Sequence, residues 1–197
     1  MVEVKAPIEE ETRERILASA AEHFASDGYA ATSIRDIAGK AGVTVGAIYA
    51  HFPSKGRLLV AVYREGAEQI GRAVDAAAAG AGGPWEKLLA AATAHLELLL
   101  AKGGFARGIV RVLPADVPEV ARDLRRLRDG YEARFRRLIA ALDVAPGVDR
   151  TLLRLMLLGA LNATHIWFRG GAGRADAAMI ARQLIVALRN GTAGRAQ

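Results

Sequence analysis

Residues 32–52, TSIRDIAGKAGVTVGAIYAHF, hold two short helical patterns set back to back. Thr32 or Ser33 can cap the first, and Asp36, three residues after Ser33, sits in capping-box position. Ile34, Ile37, Ala38 and Ala41 form its apolar stripe. Gly42 closes it, because the left-handed position after a helix suits glycine best. Thr44 offers a fresh cap only two residues later, and Val45 to His51 gives about two turns before Phe52-Pro53 interrupts.

Working outward from this pair, the same period recurs along the chain. Ahead of it, Ile16, Leu17, Ala20, Ala21 and Phe24 mark an amphipathic helix from about Ile8 to Asp27-Gly28. Behind it, Ser54 caps a fourth helix running through Leu58, Leu59, Val62 and Tyr63 to the alanine-rich residues 73–79, and the run Gly80 to Pro84 breaks the pattern. Trp85 to Leu100 is helical with an apolar stripe at Leu88, Leu89, Ala92, Leu96 and Leu99. A short segment spans Ile109 to Leu113, and a long arginine-rich helix starts at Pro118, with Leu124, Leu127, Tyr131, Phe135, Leu138 and Leu142 on one side. Asp149 to Arg169 is apolar nearly all round, the mark of a buried helix, and Asp176 to Leu188 is the last amphipathic one. No period-two strand pattern occurs. The expected fold is all-α, with about nine helices: a helix-turn-helix head at residues 1–56 and a helical bundle over residues 57–197.

Composition narrows the class. The 197 residues include 52% hydrophobic and 24% charged ones, too apolar for disorder and too interrupted by charge for a membrane protein. The longest apolar run, Leu155 to Leu161, falls far short of the ~20 residues of a membrane span. The first residues lack a leader-like apolar core, and there is no cysteine, so disulfide scaffolds and thiolate chemistry are excluded and a cytoplasmic location is expected. The net charge of +6 is unevenly placed: residues 1–56 carry six basic and eight acidic side chains, and residues 57–197 carry 21 and 13. Within residues 32–57, however, Arg35, Lys40, Lys55 and Arg57 stand against Asp36 alone. The acids gather at Glu9 to Glu14, where a helix N-terminus favours them.

The spacing of the short pair resembles a helix-turn-helix, in which the second helix enters the major groove and the first lies across the backbone. Thr44 and Gly46 fall where backbone N–H groups attract phosphate, and Gly46 permits close approach to the groove floor. Val45 and Ala47 suit thymine methyl groups. Tyr49, His51 and Lys55 fit phosphate contacts, Arg35 a guanine edge or a phosphate, and Thr32 and Ser33 add hydroxyls near the backbone. Ile34, Ile37 and Ile48 belong to packing, and Tyr49 also suits a core position. The set Phe24, Asp27-Gly-Tyr29, Thr32, Ile37-Ala38, Ala41 to Thr44, Gly46, Ile48-Tyr49, His51-Phe52, Ser54-Lys55 and Leu58-Leu59 resembles the N-terminal signature of the TetR family of transcriptional regulators. The resemblance implies a double-stranded DNA operator, a homodimer and a small-molecule effector bound by the C-terminal domain, with no catalytic residue, metal or cofactor. Two positions depart from the family's pattern: Ala50 replaces an aromatic or arginine phosphate contact, and Gly56 replaces an acid that helps cap the fourth helix.

In the C-terminal part, Asn162, Thr164, His165 and Arg169 interrupt an apolar helix, and polar groups there must find partners or line a cavity. The run from Gly159 to Gly171 looks like a motif of a TetR subgroup associated with sterol and fatty-acid catabolism, whose members respond to acyl-CoA thioesters. Residues 107–137 hold nine arginines against five acids, as a mouth for an anionic nucleotide requires and as a plain solvated face also shows. The candidate effector residues are Phe105, Arg111, Arg128, Tyr131, Phe135, Asn162, His165, Ile166, Trp167 and Arg169. The helices at 149–169 and 176–188 are the natural dimerisation pair, though the first also fits the centre of a monomer core. A TetR-like regulator of drug efflux is the nearest rival. It needs buried acids against cationic compounds, and Glu97 and Asp116 are the few available. An enzyme is disfavoured, because the chain has no phosphate loop, no G-x-S-x-G and no histidine pair at metal-ligand spacing.

Overall fold

The computed structural model describes residues 5–101, 112, 114–168 and 176–192. Among these are eight α-helices and two 3₁₀ turns, and no strand. The helices are α1 (Lys5–Ser26), α2 (Ile34–Ala41), α3 (Val45–His51), α4 (Lys55–Ala79), α5 (Pro84–Leu100), α6 (Ala121–Ala140), α7 (Arg150–Trp167) and α8 (Ala177–Thr192). The all-α expectation holds. The segment expected at Ile109 to Leu113 lies outside the described residues except for Val112, which is buried. The stretch expected to start a long helix at Pro118 is first a 3₁₀ turn, Pro118–Val120, with a second turn at Pro114–Asp116, before α6 begins.

Contacts divide the chain into two units, residues 1–67 with 103–127 and residues 68–102 with 128–197. The first unit takes in the start of α4 and of α6, so its core extends past residue 56. Ile16, Leu17, Ala20 and Phe24 of α1 pack with Ile37, Ala38 and Ala41 of α2, Ile48 of α3, Leu58, Leu59 and Val62 of α4, and Val117, Val120 and Leu124. Polar groups fix α1 on α2. Ser19 Oγ donates to Ile37 O at 2.9 Å inside the core. The Arg15 guanidinium donates to Ala41 O and Gly42 O, both at 3.2 Å, satisfying carbonyls that the end of α2 leaves open.

In the second unit α5 packs chiefly on α8 and also on α7. Its core holds Leu88, Ala92, Leu96 and Leu99 of α5, Phe135 and Ile139 of α6, Leu153, Leu157, Leu158 and Leu161 of α7, and Ala181 and Ile185 of α8. Asp149 caps α7 by accepting from the N–H groups of Thr151 and Leu152. The next residue, Arg150, donates to Ile139 O at 2.7 Å and Leu142 O at 3.1 Å, closing the end of α6. The expectation that α7 is buried all round is corrected. Leu152, Leu155, Met156, Ile166 and Trp167 are 48% to 65% exposed, and Met179 and Val186 of α8 are 52% and 47% exposed. Its leucines cover more of its circumference than one bundle can bury.

Candidate nucleic-acid interface and effector site

The helix pair forms as its caps dictate. Ser33 is the N-cap of α2, its hydroxyl accepting from the Asp36 N–H at 3.2 Å while Asp36 accepts from the Ser33 N–H at 3.2 Å. The Ser33 hydroxyl also donates to Asp36 Oδ2 at 2.6 Å, and this bond, followed by that from the Ser33 N–H, holds the Asp36 carboxyl below its ordinary pKa. Gly42 ends α2 at φ +64°, a conformation that a side chain resists. Thr44 caps α3 by accepting from the Ala47 N–H at 3.1 Å. Ile37 and Ile48 are buried, and Ile34 packs against them.

The outer surface of this pair carries most of the expected contacts. Ser33, Arg35, Thr44, Gly46 and Tyr49 are exposed, and Val45, Ala47, His51 and Lys55 are half-buried. Tyr49, at 49% exposure, points outward and is not core. A methyl group added at Gly46 would meet only Thr44 Oγ1, at 3.8 Å. The described residues around it leave room for a side chain. One expectation is corrected. Thr32 is buried, and its hydroxyl donates to Gly28 O at 2.8 Å instead of facing the backbone of a duplex. Lys55 places its ammonium 4.3 Å from the centre of the Tyr29 ring and 3.5 Å from Ala30 O, and burial lowers its pKa.

The first unit contains a contact that local sequence patterns do not announce. Tyr29 donates to Glu119 Oε1 at 3.1 Å, and Arg57 pairs with Asp123 at 2.7 Å. Burial, then Glu119, pushes the Tyr29 phenol up to about 12. Gly56 lies under this turn: a methyl group there would stand 3.2 Å from Val120 Cγ1 and 3.3 Å from Glu119 Oε1. The acid missing at position 56 gives way to this packing.

Among the effector candidates, the second unit brings Tyr131 and Phe135 together, their ring centres 5.9 Å apart. Between them and α7 lies a residue that the sequence analysis did not select, His95 of α5. It occupies the buried stripe of Leu88, Ala92 and Leu99, so a polar side chain at a core position was the available signal. His95 Nδ1 is 2.6 Å from Tyr131 Oη, and the His95 ring packs edge-on against Phe135 at 6.1 Å. Burial pushes the His95 pKa down to about 4 and raises that of the Tyr131 phenol, so both are neutral at physiological pH. The Asn162 side chain draws the His95 pKa upward against the larger effect of burial, and Nε2 is left without a geometric hydrogen-bond partner.

The remaining candidates are placed elsewhere. Arg128 is exposed and pairs with Glu132, which also pairs with Arg154. His165 Nδ1 meets the Asn162 carbonyl of its own helix at 2.6 Å. Ile166 and Trp167 are exposed, and Trp167 lines an apolar groove of about 440 Å³ with Ala160, Thr164, Met179, Ile180 and Leu184. Phe105, Arg111 and Arg169 lie outside the described residues. The arginines of α6 at 122, 125, 126, 136 and 137 are exposed, so they cover a surface and do not line an interior. A second groove, of about 340 Å³, is bordered by Lys87, Arg134, Arg137 and Asp75, with Arg134 paired to Asp75 at 2.9 Å. Among the described residues no helix is long and apolar enough to cross a membrane, and no cluster of side chains could hold a metal ion.

Comparison with known proteins agrees with this architecture. Residues 16–62 match the model for bacterial regulatory proteins of the tetR family, and residues 81–192 match that for the tetracyclin repressor-like C-terminal domain. The HTH-type transcriptional repressor KstR of Mycolicibacterium smegmatis is 36% identical over 86 residues, which cover 44% of this chain and 42% of that protein. The matched region is thus less than half the length of that relative. A bacterial regulatory protein in the tetR family from Rhodococcus RHA1 superposes with a TM-score of 0.76 at 26% identity, over 92% of this chain and 97% of that one. The transcriptional regulator FadR of Bacillus subtilis, solved in complex with stearoyl-CoA, shares the fold with a TM-score of 0.74 at 22% identity, over 90% of this chain and 98% of that one. With both halves of the chain matched and the helix pair of residues 34–51 in place, the protein belongs to the tetR family of bacterial DNA-binding transcriptional regulators.

Proposed function

We propose that this regulator is a dimeric repressor that holds a palindromic operator and releases it when a CoA thioester binds the C-terminal bundle. Residues 1–56 act as the reading head and residues 57–197 as the effector-binding and dimerisation part. Val45 and Ala47 present methyl-sized surface for base edges, Arg35 and Tyr49 stand out from the same face, and Gly46 lets the helix sit low in the groove. Two heads in a symmetric dimer read half-sites about one helical turn, ~34 Å, apart. The exposed apolar side chains of α7 and α8 form the dimer face.

For the effector, the observation that carries the reading is the buried polar pair of His95 and Tyr131, with Asn162 beside it, within an otherwise apolar bundle. Such a site suits a mostly apolar ligand with one fixed polar point. Lys87, Arg134 and Arg137 around the 340 Å³ groove provide cationic surface in the same unit for phosphates. The complex of FadR with stearoyl-CoA shows that this fold can hold such a ligand. The rival reading, an efflux regulator opened by lipophilic cations, requires interior carboxylates. Glu97 and Asp116, which it relied on, are both exposed.

A ligand shifts a two-state equilibrium only by its differential affinity for the two states, so ~100-fold release of operator needs about 2.7 kcal/mol of coupling. The test is electrophoretic mobility shift of DNA from upstream of the protein's own gene, at fixed salt, with a panel of acyl- and steroid-CoA thioesters. A shift released by one ester is the expected result. A shift that no ester releases keeps the regulator and removes the CoA effector.

A further inference from the structure

The four cations of residues 32–57 are not equally free to meet phosphate. Arg35 is exposed, Lys40 pairs with Glu22 of α1, and Lys55 rests over the Tyr29 ring. Arg57 stands in the first turn of α4, its backbone N–H donating to the Ser54 hydroxyl at 3.1 Å. Its guanidinium is taken by Asp123 of α6 at 2.7 Å, although the two side chains are 57% and 35% exposed. An ion pair this open to water adds little to stability, so the fold does not depend on it. Packing is what brings the acid there. The 118–120 turn lies so close over α4 that a methyl group at Gly56 would stand 3.2 Å from Val120 Cγ1 and 3.3 Å from Glu119 Oε1, and Tyr29 ties the turn down by donating to Glu119 at 3.1 Å. Two acids from outside the helix pair, Glu119 and Asp123, are thereby set against the first turn of α4.

We propose that Arg57 is a latent phosphate-binding residue of the reading head, and that Asp123 holds it off the duplex by giving its guanidinium a carboxylate in place of a phosphate. Both anions offer a guanidinium the same thing, paired oxygens for its fork of N–H groups. Position places DNA within its reach: the chain passes from α3 to α4 through Phe52, Pro53 and Ser54 alone, so the first turn of α4 borders the helix that enters the groove. Phosphate contacts act on every sequence alike. Asp123 therefore subtracts affinity from all DNA and leaves a larger share of the binding to base-edge contacts. The proposal uses the DNA-binding head and no property of the effector.

The experiment titrates full-length protein into a fluorescent duplex of mixed sequence at several salt concentrations, because the slope of log K against log salt counts the phosphates contacted. Asp123→Asn keeps the shape of the side chain and removes the charge that holds Arg57. For each head on the duplex, the expected result is binding about threefold to tenfold tighter at about 0.1 M salt and a slope steeper by about 0.9. Arg57→Gln alone leaves affinity and slope at the native values, and Arg57→Gln combined with Asp123→Asn shows no gain. Asp143→Asn, at an exposed position in the other unit, makes the same change in net charge and gives the effect of charge alone. Melting temperatures close to native in every variant keep unfolding out of the comparison. An Asp123→Asn protein that binds no tighter than Asp143→Asn overturns the proposal. So does a gain that survives in the double variant, since it then comes from removing a negative charge near DNA and not from releasing Arg57. A slope flattened by Arg57→Gln alone overturns the holding role, because Arg57 then already meets phosphate in the native complex. Native protein that binds no duplex even at the lowest salt removes the reading head itself and the proposal with it.

Discussion

Gly46 shows how a single residue separates what folding needs from what binding needs. Its backbone is ordinary for a helix and the space around it is open. Gly46→Ala therefore leaves stability unchanged or raises it by up to about 1 kcal/mol through helix propensity, while operator affinity falls about tenfold, or 1.4 kcal/mol, as the groove floor is held off. Thermal melting and mobility shift on the same variant check both halves, and unchanged operator affinity would remove Gly46 from the interface. Val45→Ala changes preference among operator sequences, whereas Tyr49→Phe weakens all DNA alike and flattens the salt slope. His95 supplies the pH dependence at this scale. Its folded pKa of about 4 lies below the ordinary 6.5, so the unfolded chain binds the proton more readily. Its contribution is fully present above pH 6.5 and is lost as pH falls toward 4, amounting to about 2 kcal/mol at pH 5. Urea unfolding at pH 7.5 and pH 5 shows this loss in the native protein and a smaller one in His95→Phe.

At the scale of the helix, legibility in the sequence follows the range of the interactions that set each boundary. The limits of α2 and α3 were readable because Ser33, Asp36, Gly42 and Thr44 act on backbone groups within four residues of themselves. The start of α6 was not, since Pro118 opens either an α-helix or a 3₁₀ turn and packing of Val117 and Val120 into the first unit selects the turn. Thr32 looked like a surface hydroxyl because nothing nearby shows that the chain folds over it. The His95 cluster was half legible: Tyr131, Phe135 and Asn162 could be chosen individually, but only the meeting of three helices brings His95 to them. Gly56 tests the same principle in energetic terms. An acid at the start of α4 gains a favourable helix-dipole interaction of about 0.3–1 kcal/mol. The longer side chain must displace Val120 and brings its charge against Glu119, and overpacking alone costs roughly 1–3 kcal/mol. Gly56→Glu is therefore net destabilising, and a raised melting temperature would show that the 118–120 turn yields freely.

For the whole molecule, the decisive surface is the apolar one that a single chain leaves open. Leu152, Leu155 and Met156 on α7 and Met179 and Val186 on α8 are all about half exposed or more. In the proposed dimer a two-fold contact sets each such face against its own copy, so one substitution acts twice. Met156→Glu introduces two buried, unpaired carboxylates into that contact while leaving the isolated chain nearly untouched, because substitutions at exposed positions cost within about 0.5 kcal/mol. The variant accordingly sediments as a folded monomer. Its operator affinity falls by far more than that of any single contact on α3, since one head must now bind without the local concentration its partner provides. Met156→Leu keeps the apolar surface and with it the dimer and the binding. A Met156→Glu protein that remains dimeric would place the two-fold axis on another face of the bundle, and a monomer that still holds the full palindrome at native affinity would show that pairing of the heads is not what gives the operator its hold.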